Sequence, residues 1–322
     1  MMLFEAIRTI VGAIAQLVAL GAVGFWFVRR AWVRETDLKM LSDAVIKFFL
    51  PLFMFSQIVQ RFSFSLYPDW WVFPILSFLI TACGYFLGSL ALAAAPAFKA
   101  HRGEFLGVTS FQNSGYLPLP LVAALLPAGP AQEMFIYIFL FLIGFNMTIF
   151  SFGFCLLSET CSRRFNARNI FNAPVMATLL ALVVVFLKAD KLLPPVLIRS
   201  ASVIGRAAIP LSILVVGGNL ASLKSKVSSL ARPLAVALGI KLVLLPLIFL
   251  GVVLAFKFEP LLGLFILLQA AMPPAALLSV ISKSQDRQDH LVHQAIFYGH
   301  LASIVSLPVI LILFWMVYGR FF

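Results

Sequence analysis

Charge is scarce in this sequence, and acidic charge scarcer still. Only 11% of the 322 residues are Asp, Glu, Lys or Arg, with 12 acids against 24 bases. Soluble domains carry about 25% charged residues, so a single water-solvated core is excluded. With 62% apolar residues and a mean hydropathy of +1.05, the chain belongs in a bilayer. Cysteine is nearly absent too. Cys83 and Cys155 lie in apolar runs and Cys161 in a basic loop. An odd count without C-x-x-C spacing argues against a disulfide framework and against a zinc site. Long polar stretches are also missing: turns such as residues 97–103 are too short for an extramembrane domain, which leaves no room for a soluble enzyme module.

What the chain does have is apolar windows punctuated by charge. These fall at residues 9–28, 38–60, 70–95, 104–126, 132–158, 173–187, 196–220, 230–256, 260–282 and 291–317. A helix needs about 20 residues to cross a bilayer, so about ten spans fill the chain. The first run is too long for a signal-peptide core and ends at Arg29 and Arg30 without a small-residue cleavage site, so it is expected to be a retained span. Loops after odd-numbered windows hold 14 basic residues, among them Arg29, Arg30, Lys99, Arg163, Arg164, Lys224 and Lys283. The opposite side holds 7: Arg8, Arg61, Lys188, Lys191, Arg199, Lys257 and Arg320. The positive-inside rule then places both termini outside and reads the net charge of +12 as topology, with no nucleic-acid partner. Trp70, Trp71, Trp315 and Tyr318 outside, with Trp26 and Trp32 inside, suit interfacial belts.

An offset of 159 residues lays windows one to five over six to ten. It brings Leu50-Pro51-Leu52 onto Ile209-Pro210-Leu211, Lys47 onto Arg206, and Asn113 onto Met272. Each half, 1–159 and 160–322, has an odd number of spans, so the two insert in opposite orientations, as in secondary transporters. The expected fold is an all-α membrane protein of ten transmembrane helices in two inverted five-helix repeats.

Windows four and nine carry helix breakers at their centres. Asn113, Ser114, Gly115, Pro118 and Pro120 interrupt one, and Pro273 and Pro274, after Met272, interrupt the other. Proline removes a backbone donor and clashes with the preceding turn. Freed backbone groups survive at membrane depth only in protein or beside water. Two discontinuous helices crossing at mid-membrane would offer half-helix N-termini to a carboxylate and C-termini to a cation. Lone prolines at Pro51, Pro74, Pro246 and Pro308 read as kinks.

Lys47, Arg206 and Lys241 lie mid-window, where a basic group costs about 2.5–3.5 kcal/mol on the lenient scale. They are either vestibule charges for an anion or structural cations, and Asp43, four residues before Lys47, offers that residue a plain ion pair. Gln57, Gln112, Asn146, Asn219, Gln269 and Ser279 are neutral hydrogen-bonding candidates for substrate or for neighbouring helices. No Asp or Glu lies deep in a window, which disfavours proton antiport on membrane carboxylates. His300 reads as a packing residue or a proton carrier, and His290 with His293 lacks further ligands for a metal. No cofactor is called for. A membrane enzyme or sensor would show acid, His or Cys clusters that are not found here, and a channel remains a third reading.

The segments LSDAVIKFFLPLFMFSQI, FQNSGYLPLPL, Asn172-Ala173-Pro174, IPLSILVVGGNLA and LLQAAMPPAALLSV resemble those of the auxin efflux carrier family, whose bacterial members include malate and malonate permeases. The resemblance covers essentially the whole chain, although family members usually carry glycine where Pro118 stands. It implies a bile-acid-symporter-like fold with helices four and nine crossing, and a scaffold of helices one, two, six and seven. It further implies a homodimer and an elevator-type shift of a substrate-laden transport domain. Substrate would touch Gln112, Asn113, Ser114, Gly115, Pro118, Asn146, Met272, Pro273 and Pro274. The expected activity is transport of a small organic anion such as a mono- or dicarboxylate, with a proton or sodium as possible coupling ion. A sodium-coupled bile-acid-type symporter is the alternative.

Overall fold

The computed structural model describes residues 3–158, 170–222, 230–283 and 290–319. Among these the chain is helical, with no strand beyond one isolated bridge. In order come α1 (Leu3–Arg29), α2 (Glu35–Ala44), α3 (Leu50–Arg61), α4 (Val72–Ala94), α5 (Arg102–Ser110), α6 (Pro118–Leu125), α7 (Ala128–Thr148) and α8 (Phe154–Leu157). They are followed by α9 (Ala173–Phe186), α10 (Pro195–Gly205), α11 (Ala208–Ser222), α12 (Ala231–Gly239), α13 (Leu245–Phe256), α14 (Pro260–Ala271), α15 (Leu277–Lys283) and α16 (His290–Tyr318). Six helical stretches among the described residues are long and apolar enough to cross a bilayer: Leu3–Arg29, Val72–Ala94, Ala128–Leu157, Pro195–Ser222, Ala231–Phe256 and His290–Tyr318.

Prolines reshape the long helices. Before Pro51 and Pro246 the helix widens into π-turns, Val45–Phe49 and Ile240–Leu244, in which Leu50 N–H reaches the Val45 carbonyl and Leu245 N–H the Ile240 carbonyl. Widening the turn makes room for a ring that would otherwise strike the preceding turn. The 196–220 window, expected to be one helix, is interrupted at Arg206 and Ala207. Pro210 supplies no N–H for the Arg206 carbonyl, which takes Ile209 N–H instead at 3.1 Å and tightens the turn.

Lipid is as apolar as leucine, so close packing and hydrogen bonds hold such helices together. The tightest approach joins α1 to α11. A Cβ on Gly217 would lie 1.9 Å from the Gly21 carbonyl oxygen, and one on Gly24 2.1 Å from that of Leu214. At the centre lies the stretch Ala128–Leu157, with 78% of its most apolar window buried. Its rings engage neighbours on both sides: Phe139 meets Phe53 edge-on at 5.4 Å, and Tyr137 stacks on Phe73 at 4.4 Å. Glu104, 6% exposed, crosses to the start of α16, where its Oε2 accepts Leu291 N–H at 2.8 Å and Val292 N–H at 3.4 Å. A carboxylate there satisfies two orphan donors and opposes the helix dipole.

One expectation about cysteine is corrected. Cys83 is free, but Cys155 is disulfide-bonded. Odd counts exclude a fully paired framework and still permit one bridge.

Candidate functional site

The two interrupted helices meet. Between α5 and α6 the chain leaves helical geometry at Phe111 (φ −103°, ψ 122°), and between α14 and α15 it does so at Met272 (φ −65°, ψ 142°). There the segments run antiparallel around a bridge of Gln112 with Pro274. Asn113 N–H donates to the Pro273 carbonyl at 2.8 Å, and Ala275 N–H donates to the Phe111 carbonyl at 3.0 Å. Each break therefore supplies partners for backbone groups that the other released, which is what a low-dielectric surround requires. Pro274 has no donor, so the bonds come from the residues flanking the bridge. Gly299 of α16 backs the contact closely: a Cβ there would sit 2.7 Å from Pro274 Cδ.

Side chains lock the crossing to its neighbours. His300 Nδ1 lies 2.7 Å from the Ile296 carbonyl and must donate to it. Its Nε2 is then the acceptor for Asn113 Nδ2 at 3.2 Å, which fixes the neutral tautomer. Asn113 Oδ1 in turn receives Leu117 N–H at 3.4 Å. Gln269 Nε2 donates to the Ser114 carbonyl at 3.4 Å. Lys241 is fully buried, and its ammonium faces the carbonyls of Thr109 and Ser110 at 3.5 Å and Gln112 Oε1 at 3.3 Å.

Beside the crossing lies a cavity of about 150 Å³. Of the residues expected from sequence, Gln112, Asn113, Ser114, Gly115 and Asn146 line it. Pro118 opens α6, while Met272, Pro273 and Pro274 build the crossing; the lining on their side comes from Ala275, Ala276 and Leu277. Lys241 stands behind Gln112. Lys47 and Arg206 are exposed away from the cavity, Lys47 bonded to Asp43 at 2.9 Å. Sequence reasoning missed Tyr116, Asn172 and Ser212, all of which line the space. Asn172 was legible as a cap, since it precedes Ala173-Pro174 and its Oδ1 accepts Val175 N–H at 3.1 Å. Its Nδ2 also donates to Asn146 Oδ1 at 2.7 Å, and Asn146 Nδ2 donates to the Leu142 carbonyl at 2.7 Å. Ser212 Oγ reaches the Tyr116 carbonyl at 3.0 Å.

A family model described as membrane transport protein matches residues 9–162 and 157–311, together nearly the whole chain. The chain belongs to this family, of auxin efflux carrier type. Within curated proteins it is similar to an uncharacterized transporter of Methanothermobacter thermautotrophicus, 26% identical over 279 residues, which is 85% of this chain and 88% of the relative.

For a membrane transport protein the chemistry of the cavity is specific. Its polar lining is neutral, made of amides, hydroxyls and released backbone. Pro118 and Pro120 sit at the first and third positions of α6, and Leu119 N–H already bonds the Gly115 carbonyl. The N-terminal amides that usually bind an anion are thus depleted there. Gln112 lines the space, and its Nε2 is a buried donor without a partner.

Proposed function

We propose that this protein is a secondary carrier for a small organic anion, a mono- or dicarboxylate, bound beside the crossing and moved by elevator-type alternating access. The observation that carries this reading is the antiparallel pairing of two interrupted helices next to a cavity of about 150 Å³, mostly apolar, into which the side-chain amides of Gln112, Asn113, Asn146 and Asn172 are set. A cavity of that size suits a molecule of a few carbons. Gln112, Asn146, Asn172 and Tyr116 offer donors to a carboxylate, and the buried Lys241 charge behind Gln112 makes the pocket favourable for an anion.

In this reading the chain forms ten spans in two inverted halves, 1–159 and 160–322. The four windows beyond the six long helices are the kinked α2–α3 stretch, the two interrupted helices and the 14-residue α9. Both termini face outward in the cell membrane, and two copies form a homodimer whose scaffolds stay fixed while the crossing regions move. Uptake of a panel of labelled mono- and dicarboxylates into proteoliposomes, with and without sodium and pH gradients, tests the proposal. Accumulation of at least one carboxylate is expected. No uptake of any, by correctly inserted protein, would overturn the carboxylate reading, and strict sodium dependence with a bulky sterol acid would favour a bile-acid-type symporter.

A further inference from the structure

The field that Lys241 sets up at the cavity does not account for its own contacts, because it does not line that space and its ammonium meets the end of α5. Helix α5 stops at Ser110, and its last carbonyls need partners. Phe111 N–H takes that of Gly107 at 3.0 Å. The carbonyls of Thr109 and Ser110 face Lys241 Nζ at 3.5 Å, and Gln112 Oε1 completes a three-oxygen cage at 3.3 Å. Lys241 itself is 0% exposed. The cage is carried rigidly by packing: a Cβ on Gly84 of α4 would lie 2.3 Å from the Thr109 carbonyl oxygen, so α4 presses directly on this turn.

Backbone carbonyls at a half-helix C-terminus plus a side-chain amide oxygen are the ligands a hard monovalent cation takes inside a membrane carrier. The partial negative charge of the helix end adds to them. Here a primary ammonium on a side chain occupies that position. We propose that Lys241 is a tethered cation that fills the place a free coupling cation would take at the crossing, so that the resting protein holds its crossing together without binding sodium. The cation is part of the chain and moves with it, and its charge stays beside Gln112 through the cycle. This proposal rests on the carrier reading only for its transport arm; its stability arm stands without it.

The test compares wild type, Lys241→Met and Lys241→Ala, purified in detergent, by thermal unfolding in sodium, lithium, potassium or choline chloride at one ionic strength, with and without ethylammonium. Wild type is expected to unfold at the same midpoint in every salt. Lys241→Met should unfold several degrees lower in every salt, since a chain of similar length fills the space without the charge. Lys241→Ala should also be lowered, and should be rescued by sodium, lithium or ethylammonium relative to choline, because the vacated cage is open to a small cation. A wild-type midpoint raised selectively by sodium, or a folded Lys241→Ala with the same midpoint in sodium, lithium, potassium, choline and ethylammonium, would overturn the proposal. Should Lys241→Ala not fold, wild-type uptake decides: equal rates in sodium and choline support a tethered cation, and sodium-dependent uptake refutes it. Absence of carboxylate uptake in any salt would count against the carrier reading and leave the unfolding comparison intact.

Discussion

Replacing Asn113 with alanine separates the side chain's contribution from that of its backbone. The Asn113→Ala variant keeps the N–H that bonds the Pro273 carbonyl at 2.8 Å, so the crossing itself persists. The Nδ2 bond to His300 Nε2 at 3.2 Å disappears, and the 3.4 Å contact to Leu117 N–H is long enough to count for little. Interhelical hydrogen bonds in membranes average about 0.6 kcal/mol and reach about 1.7. His300 is 6% exposed, so its Nε2 is left without solvent, and an unsatisfied buried acceptor costs about 1–3 kcal/mol. Asn113→Ala should therefore lose about 2 kcal/mol, within that range, and His300→Ala at least as much because packing is lost as well. Once one partner has gone, removing the other costs less, so the two should be coupled by about 1 kcal/mol in a double-mutant cycle. Reversible denaturant unfolding in mixed micelles reads the coupling. Strictly additive losses would refute the hydrogen bond as a linkage. Asn113→Ala should also depress carboxylate uptake, and undiminished uptake would remove Asn113 from the site.

At the α1–α11 contact, Gly217→Ala should abolish monodisperse folded protein on size-exclusion chromatography, because the added carbon meets backbone at 1.9 Å. Gly12→Ala on the facing helix α1 meets nothing within 4 Å and should gain up to about 1 kcal/mol from helix propensity; equal behaviour of the two variants would contradict the close approach. Glu104→Ala strips the acceptor from Leu291 and Val292 and should cost about 0.5–2 kcal/mol, seen as a lower thermal midpoint, whereas an unchanged midpoint would show that the cap contributes nothing. Lys47→Ala breaks an ion pair whose side chains are 67% and 46% exposed. It should change stability by less than about 1 kcal/mol and leave substrate affinity unchanged, while a fall in anion affinity would return Lys47 to the vestibule.

The positions of the helices were legible because hydropathy and breakers act locally. Asn113, Pro118, Pro273 and Pro274 announced two interruptions by their backbone chemistry alone. The pairing that joins them was not legible, since it depends on which released donors and acceptors meet between Gln112 and Pro274, half the chain apart in sequence. The mid-window bases show the same limit. Lys47, Arg206 and Lys241 looked alike by depth, yet Lys47 and Arg206 reach the surface and Lys241 is buried with acceptors 129 to 132 positions away. Depth in a window says that a lysine needs a partner and cannot say which one. Ser212 and Tyr116 gave no signal, because a serine in an apolar helix and a tyrosine beside a break are common for packing reasons alone.

Substrate protection of Ser114→Cys, in a protein whose Cys83, Cys155 and Cys161 are replaced by alanine, tests most directly whether substrate occupies the space beside the crossing. Ser114 lines the cavity and is 2% exposed, so a small methanethiosulfonate reagent should modify the introduced thiol slowly, and a transported carboxylate should slow the reaction further in a saturable way. Modification at an unchanged rate under saturating carboxylate, in protein that still transports it, would contradict a binding site at the crossing.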